Sequence, residues 1–272
     1  TKLLYEYLGD LIVLDVGGAT TDLHSVTVES DQVARLMISP EPKAKRTVEG
    51  DLGVYVNRWK VVESIGEEKL REQCREQGFS MEHALETYRA IPKTEEEVKL
   101  VELLTREAVV KAAERHAGRL RYIYGPSGRS TVAEGKDLTQ VKYIVGTGGA
   151  LTRLPHREEI MREITRCNES GMLLLPGEHA QILVDHDYIM ASLGVLSKRY
   201  PQAAARLLEQ SLGITFPERK AEEPVPVCNK ELSRLETQRQ QREEELQRHI
   251  EECEAMGYDM SAYRENKPKA GD

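Results

Sequence analysis

A glycine-containing turn between two strand-like runs constrains this chain more than any other segment. Residues 15–22 read DVGGATTD, with LIVL before them and LHSVTV after them. The turn offers backbone N–H groups, two hydroxyls and two carboxylates, from Gly17, Gly18, Thr20, Thr21, Asp15 and Asp22. N–H and hydroxyl donors bind phosphate, and a phosphate-bound cation takes oxygen ligands such as Asp15. The segment predicts a turn that binds the phosphates of a nucleotide. The plainer alternative is an ordinary glycine-containing hairpin turn.

Composition limits the classes of function. The formal net charge of −8 disfavours general nucleic-acid binding, which usually needs a basic face. No apolar run approaches the roughly 18 residues that a membrane helix requires. The four cysteines are scattered, without CxxC or Cys/His spacing, as is typical of reduced thiols. We therefore expect a cytoplasmic protein that binds neither nucleic acid nor membrane.

Hydrophobic patterning predicts three strands followed by helices. Residues 11–14, 23–28 and 33–38 are apolar or β-branched, which favours an antiparallel meander. A loop with two prolines follows, and a helix is expected to begin near residues 50–53. The clearest helix begins after Thr94, a good N-cap with Glu97 three residues on. Beyond it the patterns predict a loop at 125–135, strands at 141–145 and 181–184, and helices at 156–167 and 187–200.

This order, βββαβαβα, is that of a ribonuclease-H-like half-domain, and two such halves make the actin-like ATPase fold. We therefore predict an α/β fold, with residues 1–53 and 121–215 as a nucleotide-binding half. Residues 54–120 are assigned to an inserted helical subdomain, and 216–272 to a linker and a charged helical tail. The tail is either a solvated helix or a partner-docking helix.

Several stretches are similar to known families. LDVGGATTDLHSV resembles the second phosphate motif of the actin/heat-shock-chaperone/sugar-kinase ATPase superfamily, and YIVGTGGALTRLP resembles its adenosine motif. More narrowly, RTVEGDLG, GKDLTQVKYIVGTGGAL and DHDYIMASLGVL resemble blocks of the glutamate mutase accessory protein family, called GlmL or MutL. That family is associated with adenosylcobalamin-dependent mutases. The resemblance implies an ATP-driven reactivating chaperone that exchanges damaged cobalamin for intact cofactor.

The resemblance also implies ATP and Mg2+ as cofactors and assigns roles to residues. Asp15 would orient the magnesium-bound or attacking water, and Asp22 would be a second metal ligand. The other candidates for nucleotide binding are Gly17, Gly18, Thr20, Thr21, Gly146, Thr147, Gly148, Gly149, Glu107 and Lys111. For Glu107 and Lys111, which lie on one helix face, an ordinary salt-bridged surface is the alternative.

The family's first phosphate motif does not occur upstream of Asp15, because only fourteen residues precede it. We therefore expect this chain to correspond to a C-terminal half, with the N-terminal half of the same protein and an adenosylcobalamin-dependent mutase as partners. Alone, it is expected to hydrolyse ATP poorly or not at all. A small-molecule kinase of the same superfold and a non-hydrolysing assembly module are the alternative functions.

Overall fold

A five-stranded mixed sheet lies at the centre of the computed structural model, which describes residues 1–126, 128–168 and 170–217. The strands are Leu11–Val16 (β1), Thr21–Val26 (β2), Ala44–Glu49 (β3), Arg119–Gly125 (β4), Gly128–Glu134 (β5), Tyr143–Thr147 (β6) and Gln181–Val184 (β7). The sheet order is β3-β2-β1-β6-β7, with β1, β6 and β7 parallel and β2 antiparallel to both of its neighbours. Strands β4 and β5 form a separate antiparallel pair. The predicted mixed α/β class is confirmed and is compatible with an α/β ATPase-like fold.

Helices cover both faces of this sheet. They are Lys2–Leu8 (α1), Asp31–Ala34 (α2), Arg58–Ile65 (α3), Glu67–Glu76 (α4), Met81–Glu86 (α5), Glu95–His116 (α6), Gly148–Arg153 (α7), Arg157–Arg162 (α8), Met190–Leu196 (α9) and Pro201–Leu212 (α10), with a 3-10 turn at Glu163–Thr165. The predicted start of α6 is confirmed: the Thr94 hydroxyl accepts the Glu97 N–H, and the Glu97 carboxylate accepts the Thr94 N–H. No helix in the described part of the chain is long and apolar enough to span a membrane.

The central strand β1 supplies both cores. Ile12 and Leu14 belong to a large apolar cluster with helices α3 to α8, whereas Leu11 and Val13 belong to a second cluster with α1, α9 and α10. Successive side chains of a strand point to opposite faces, so a strand covered on both faces has to be apolar at every position. This is why LIVL reads as an unbroken apolar run.

The third strand was predicted in the wrong place. Residues 33–38 are not a strand, since helix α2 begins at Asp31 and its cap Ser30 accepts the Val33 N–H. Their apolar side chains instead pack in a small cluster with Ala133 and Leu174. The real third strand, β3, is a polar edge strand with alternating exposure, so no apolar run marks it.

Two further predictions were wrong. Residues 125–135 are not a loop but include the turn and second strand of the β4–β5 hairpin. The helix expected near residues 50–53 begins at Arg58 instead, because the intervening backbone contacts the first glycine turn. Helices α1 and α10 were not predicted. The domain boundaries remain predictions, and the charged tail lies outside the described residues apart from its first two positions.

Candidate functional site

The two glycine turns begin side by side at the carboxyl ends of the neighbouring strands β1 and β6. In the parallel pairing of β1 with β6, Asp15 is in register with Thr147, and across the antiparallel pair it faces Asp22 on β2. The carboxyl ends of adjacent parallel strands are a common place for ligand sites in α/β proteins. Strand pairing therefore brings together two motifs that lie about 130 residues apart in the sequence.

The first turn is fastened by backbone hydrogen bonds. Gly17 donates its N–H to the Thr20 carbonyl at 2.9 Å. The Gly18 carbonyl accepts the N–H groups of Tyr55 at 2.9 Å and Val56 at 2.7 Å. Among the described residues, no hydrogen bond uses the Gly18 N–H. This donor is therefore available to a ligand.

A second glycine-containing segment, residues 50–57, presses on the outside of this turn. A Cβ added to Gly53 would lie 2.2 Å from the Ala19 carbonyl carbon and oxygen, so only glycine fits there. The Asn57 side-chain amide donates to the carbonyls of Ala19 at 2.8 Å and Gly50 at 2.7 Å. The motif VEGDLG therefore acts by holding the turn in place.

The second turn lies directly against the end of β1. Gly148 has a φ of +87°, and a Cβ there would lie 2.5 Å from Asp15 Oδ1. Gly146 is less constrained, since its Cβ would lie 2.5 Å from Met161 Sδ, near the end of a flexible side chain that can move. A Cβ on Gly149, in contrast, would meet nothing within 4 Å. Gly148 is therefore required by backbone packing and by its positive φ, whereas Gly149 faces open space.

The sequence analysis missed Asp185, a fully buried carboxylate just beyond β7. Its Oδ2 accepts the Thr147 hydroxyl at 2.8 Å and the Met190 N–H at 2.9 Å. Its Oδ1 accepts the Ser211 hydroxyl at 2.6 Å and the Ile189 N–H at 3.2 Å. The signal in the sequence is an aspartate that directly follows the apolar run ILV, where a polar strand end often faces a site.

The carboxylates of the site repel one another. Burial raises the pKa of Asp15 above its ordinary value, and the nearby charges of Asp22 and Asp185 raise it further. Arg46 opposes this effect, and its Nη2 lies 3.0 Å from Asp22 Oδ1. The Thr20 hydroxyl donates to the other Asp22 oxygen at 3.3 Å. Asp22 thus already has a cationic partner, whereas Asp15 is the carboxylate whose repulsion a bound cation would relieve.

No group of three or more metal-ligating side chains occurs in the described part of the chain. A magnesium ion held here would need most of its oxygen ligands from phosphate and water, which is how Mg2+ is usually bound at nucleotide sites. One available carboxylate, Asp15, fits that role.

Both glycine turns border one cavity of about 440 Å3. Its lining includes Gly17, Gly18, Gly149, Arg153, Tyr55 and Tyr88. The two tyrosine rings stack with their centroids 5.9 Å apart, and the Arg58 guanidinium lies 5.4 Å from the Tyr88 ring centroid. Cavities of about 300–1,000 Å3 with an apolar wall and a few polar groups are typical of small-molecule sites.

Three predicted residues lie elsewhere or are already engaged. Glu107 accepts the Ser64 hydroxyl at 2.7 Å and lines a separate hollow of about 300 Å3. Lys111 pairs with Glu114 at 2.9 Å on its own helix. Thr21 is fully buried and donates its hydroxyl to the Leu52 carbonyl at 2.7 Å. Of the predicted residues, Gly17, Gly18 and Gly149 line the cavity, and these three side chains do not.

Two cavity residues had no signal in the sequence. Arg89 lines the cavity, and its Nε lies 3.4 Å from Oε1 of the buried Glu97. Tyr188 also lines it and has a φ of +54°, which no other non-glycine residue shares within the described ranges. A left-handed conformation at a bulky residue is strained and often marks a functional position.

The sheet and its paired glycine turns define a mixed α/β protein compatible with ATPase-like folds. Residues 1–212 match the family described as MutL protein. The chain is also 36% identical over 211 residues to Protein MutL of Clostridium tetanomorphum. The aligned region is 75% of this chain and 46% of that relative, so the chain spans less than half of the relative's length. The chain belongs to the MutL family, which confirms the family resemblance of its motifs.

Proposed function

We propose that this chain binds an adenine nucleotide, as its magnesium complex, in the cavity between the two glycine turns. The convergence of these turns on one cavity carries the proposal. The strand order β3-β2-β1-β6-β7 supports the finer fold assignment, a ribonuclease-H-like half of an actin-like ATPase fold. In the complete protein, binding and hydrolysis of ATP would open and close a cleft and so act on an adenosylcobalamin-dependent mutase.

The cavity offers separate surfaces to the two ends of a nucleotide. The Gly18 N–H group offers a donor to phosphate oxygens, as glycine turns do in other phosphate sites. Tyr55 and Tyr88 offer apolar ring surface to a base, and the Arg153 guanidinium offers a planar cation beside it. The bound Mg2+ would neutralise phosphate charge. Asp15 would hold that ion or its water, which also relieves the repulsion from Asp22 and Asp185.

Family membership supports the proposed partner. The MutL family is the glutamate mutase accessory family of the resemblance above, and this suggests that a cobalamin-dependent mutase is the enzyme served. Nucleotide hydrolysis would be used to release damaged cobalamin from that enzyme. A kinase of the same superfold would instead consume ATP only when a metabolite is added, and this difference can be measured.

A charge placed in the cavity tests the proposal. Gly149 and Gly194 are both helical glycines at which a Cβ meets nothing within 4 Å, but only Gly149 lines the cavity. Gly149→Glu is expected to weaken ATP and ADP binding by at least about tenfold, because its carboxylate repels the phosphates. Gly194→Glu, the matched control, is expected to bind like the unmodified chain. Isothermal titration with and without Mg2+ measures both.

Two results would contradict the proposal. One is the absence of nucleotide binding by the unmodified chain, and the other is equal binding by the Gly149→Glu and unmodified chains. ATP consumption that requires an added small-molecule acceptor would favour the kinase alternative instead.

A further inference from the structure

The hairpin β4–β5 extends from the body of the protein as a two-stranded arm. We define this arm as residues 121–126 and 128–132. Its strands pair with each other from Arg121 opposite Val132 to Gly125 opposite Gly128. Within the described residues, no backbone hydrogen bond joins the arm to any other segment.

The base of the hairpin, in contrast, is anchored on both edges. Leu120 donates its N–H to the Met172 carbonyl at 2.7 Å, and Ala133 donates its N–H to the Leu36 carbonyl at 2.7 Å. Ala133 is fully buried. The arm is therefore a fixed projection with a firmly held base.

The arm exposes large apolar side chains on both of its faces. Tyr122, Ile123 and Tyr124 are consecutive, and they are 47%, 50% and 79% exposed. Neighbouring residues of a strand point to opposite faces, so neither face is covered. Isolated two-stranded hairpins gain little stability by themselves, and an arm that served only to stabilise this chain would bury its rings against it. This exposure is typical of a docking element.

The charge of the arm differs in sign from that of the chain. The arm contains two arginines and no acidic residue, in a chain with a net charge of −8. The Arg129 guanidinium lies over the Tyr122 ring, 4.5 Å from its centroid, while Arg121 pairs with Glu134 at 3.2 Å. Tyrosine and arginine are, with tryptophan, the side chains enriched at the energetic centres of protein interfaces. A basic, aromatic arm fits an acidic surface that has an apolar slot.

We infer that the β4–β5 arm docks into a groove on the protein partner of this chain, and that this groove has an apolar floor and an acidic rim. This inference rests on the proposed function for the identity of that partner, the adenosylcobalamin-dependent mutase. The aromatic side chains of the arm enter the slot, and its arginines pair with carboxylates at the rim. The arm has no part in nucleotide binding.

The chain contains a closely matched control for the arm. Tyr200 is 52% exposed, and the Arg199 guanidinium lies 5.6 Å from its ring centroid, outside the arm. The test variant combines Tyr122→Ala with Arg129→Glu, and the control variant combines Tyr200→Ala with Arg199→Glu. Both variants remove an exposed ring and reverse one charge. Both are expected to keep the melting temperature of the unmodified chain, since neither residue pair lies in a core.

The affinity of each purified 272-residue variant for the mutase of the same organism is measured by isothermal titration. The arm variant is expected to bind at least about tenfold more weakly, whereas the control variant changes by less than about twofold. Increasing ionic strength is expected to weaken the unmodified chain more than the arm variant, because the rim pairs are charged.

Each contrary outcome has a distinct meaning. Equal mutase binding by the arm variant and the unmodified chain overturns the docking role and leaves the proposed function standing. A chain that binds nucleotide but not the mutase overturns the partnership together with the arm's role. Self-association that the arm variant abolishes identifies a second copy as the occupant, and binding lost after nuclease treatment identifies nucleic acid. Either of these two results overturns the inference.

Discussion

The two glycine turns reach the same cavity but are held in different ways. The first turn, between β1 and β2, is held from outside by residues 50–57, through backbone hydrogen bonds and the close approach of Gly53 to Ala19. The second turn, between β6 and α7, is held from beneath by the buried carboxylate of Asp185, which accepts the Thr147 hydroxyl. The first support is contact between two backbone segments, and the second includes a buried side-chain carboxylate.

This difference determines how each turn tolerates change. Backbone-to-backbone contact has no flexible side chain that can move away, so an added methyl group has to displace the chain. A buried carboxylate with neutral donors depends instead on every oxygen keeping its partners. We therefore expect both turns to be sensitive to added volume, at Gly53 and at Gly148, and only the second to be sensitive to the acceptor groups beneath it.

The largest effect is expected from Gly53→Ala. The new Cβ would lie 2.2 Å from the Ala19 backbone, so the turn or residues 50–57 must shift. We expect the free energy of unfolding to fall by about 3 kcal/mol. Urea unfolding measures the loss. The fluorescence of Trp59, the single tryptophan, reports whether residues 50–57 have moved.

Gly50→Ala is the matched control for that substitution, because a Cβ at Gly50 meets nothing within 4 Å. It is expected to change stability by less than about 0.5 kcal/mol. Equal losses in the two variants would show that the contact with Ala19 does not hold the first turn.

A smaller effect is expected from Asp185→Asn. The new amide group is a donor where the carboxylate oxygen accepted, so at least one hydroxyl or N–H loses its partner. We expect a loss of about 2 kcal/mol in the free energy of unfolding, without a shift in Trp59 emission. The exposed Asp187, two residues on, supplies the control Asp187→Asn. If Asp185→Asn shifts Trp59 emission as much as Gly53→Ala does, the two supports are not independent.

The sequence predicted the parts of the site that lie within one motif. The strand LIVL, the turns after it and after β6, strand β7 and the start of α6 all have local signals in spacing and residue type. The edge strand β3 has no such signal, since its polar residues are half exposed and its assignment depends on pairing with β2.

The sequence analysis missed the residues that the fold brings to the site from other segments, and only Asp185 among them has a local signal. Arg89 precedes α6, whereas Asp185 and Tyr188 lie together between β7 and α9, and no spacing rule links either segment to the two turns. Glu107 is the opposite case, a residue that was predicted to contact the nucleotide but does not reach the cavity. The packing of α6 places its side chain in a separate hollow. Local pattern predicts elements, whereas the lining of a cavity depends on tertiary packing.

The smallest effect concerns a titratable group in the scaffold of the first turn. His116, at the end of α6, is fully buried against β2 and β3, where Ser25 Oγ lies 2.7 Å from its Nε2 and Thr47 Oγ1 lies 2.9 Å from its Nδ1. Burial lowers the pKa of His116 from 6.5 to about 3, and the charge of Lys45 contributes. The imidazole therefore stays neutral in the folded protein as the pH falls, while in the unfolded chain it binds a proton.

Since the unfolded state then binds more protons, His116 makes the folded state less stable as pH falls below about 6.5. Between pH 6.5 and 5.5 the loss is at most about 1.4 kcal/mol, the value of one pKa unit. Urea unfolding at both pH values is expected to show a steeper pH dependence for the unmodified chain than for His116→Gln, which cannot titrate. Comparing the two chains cancels the contributions of the other histidines. Equal pH dependence would mean that the pKa of His116 is the same in the folded and unfolded states. The scaffold of the first turn would then tolerate a buried charge, although it does not tolerate added volume.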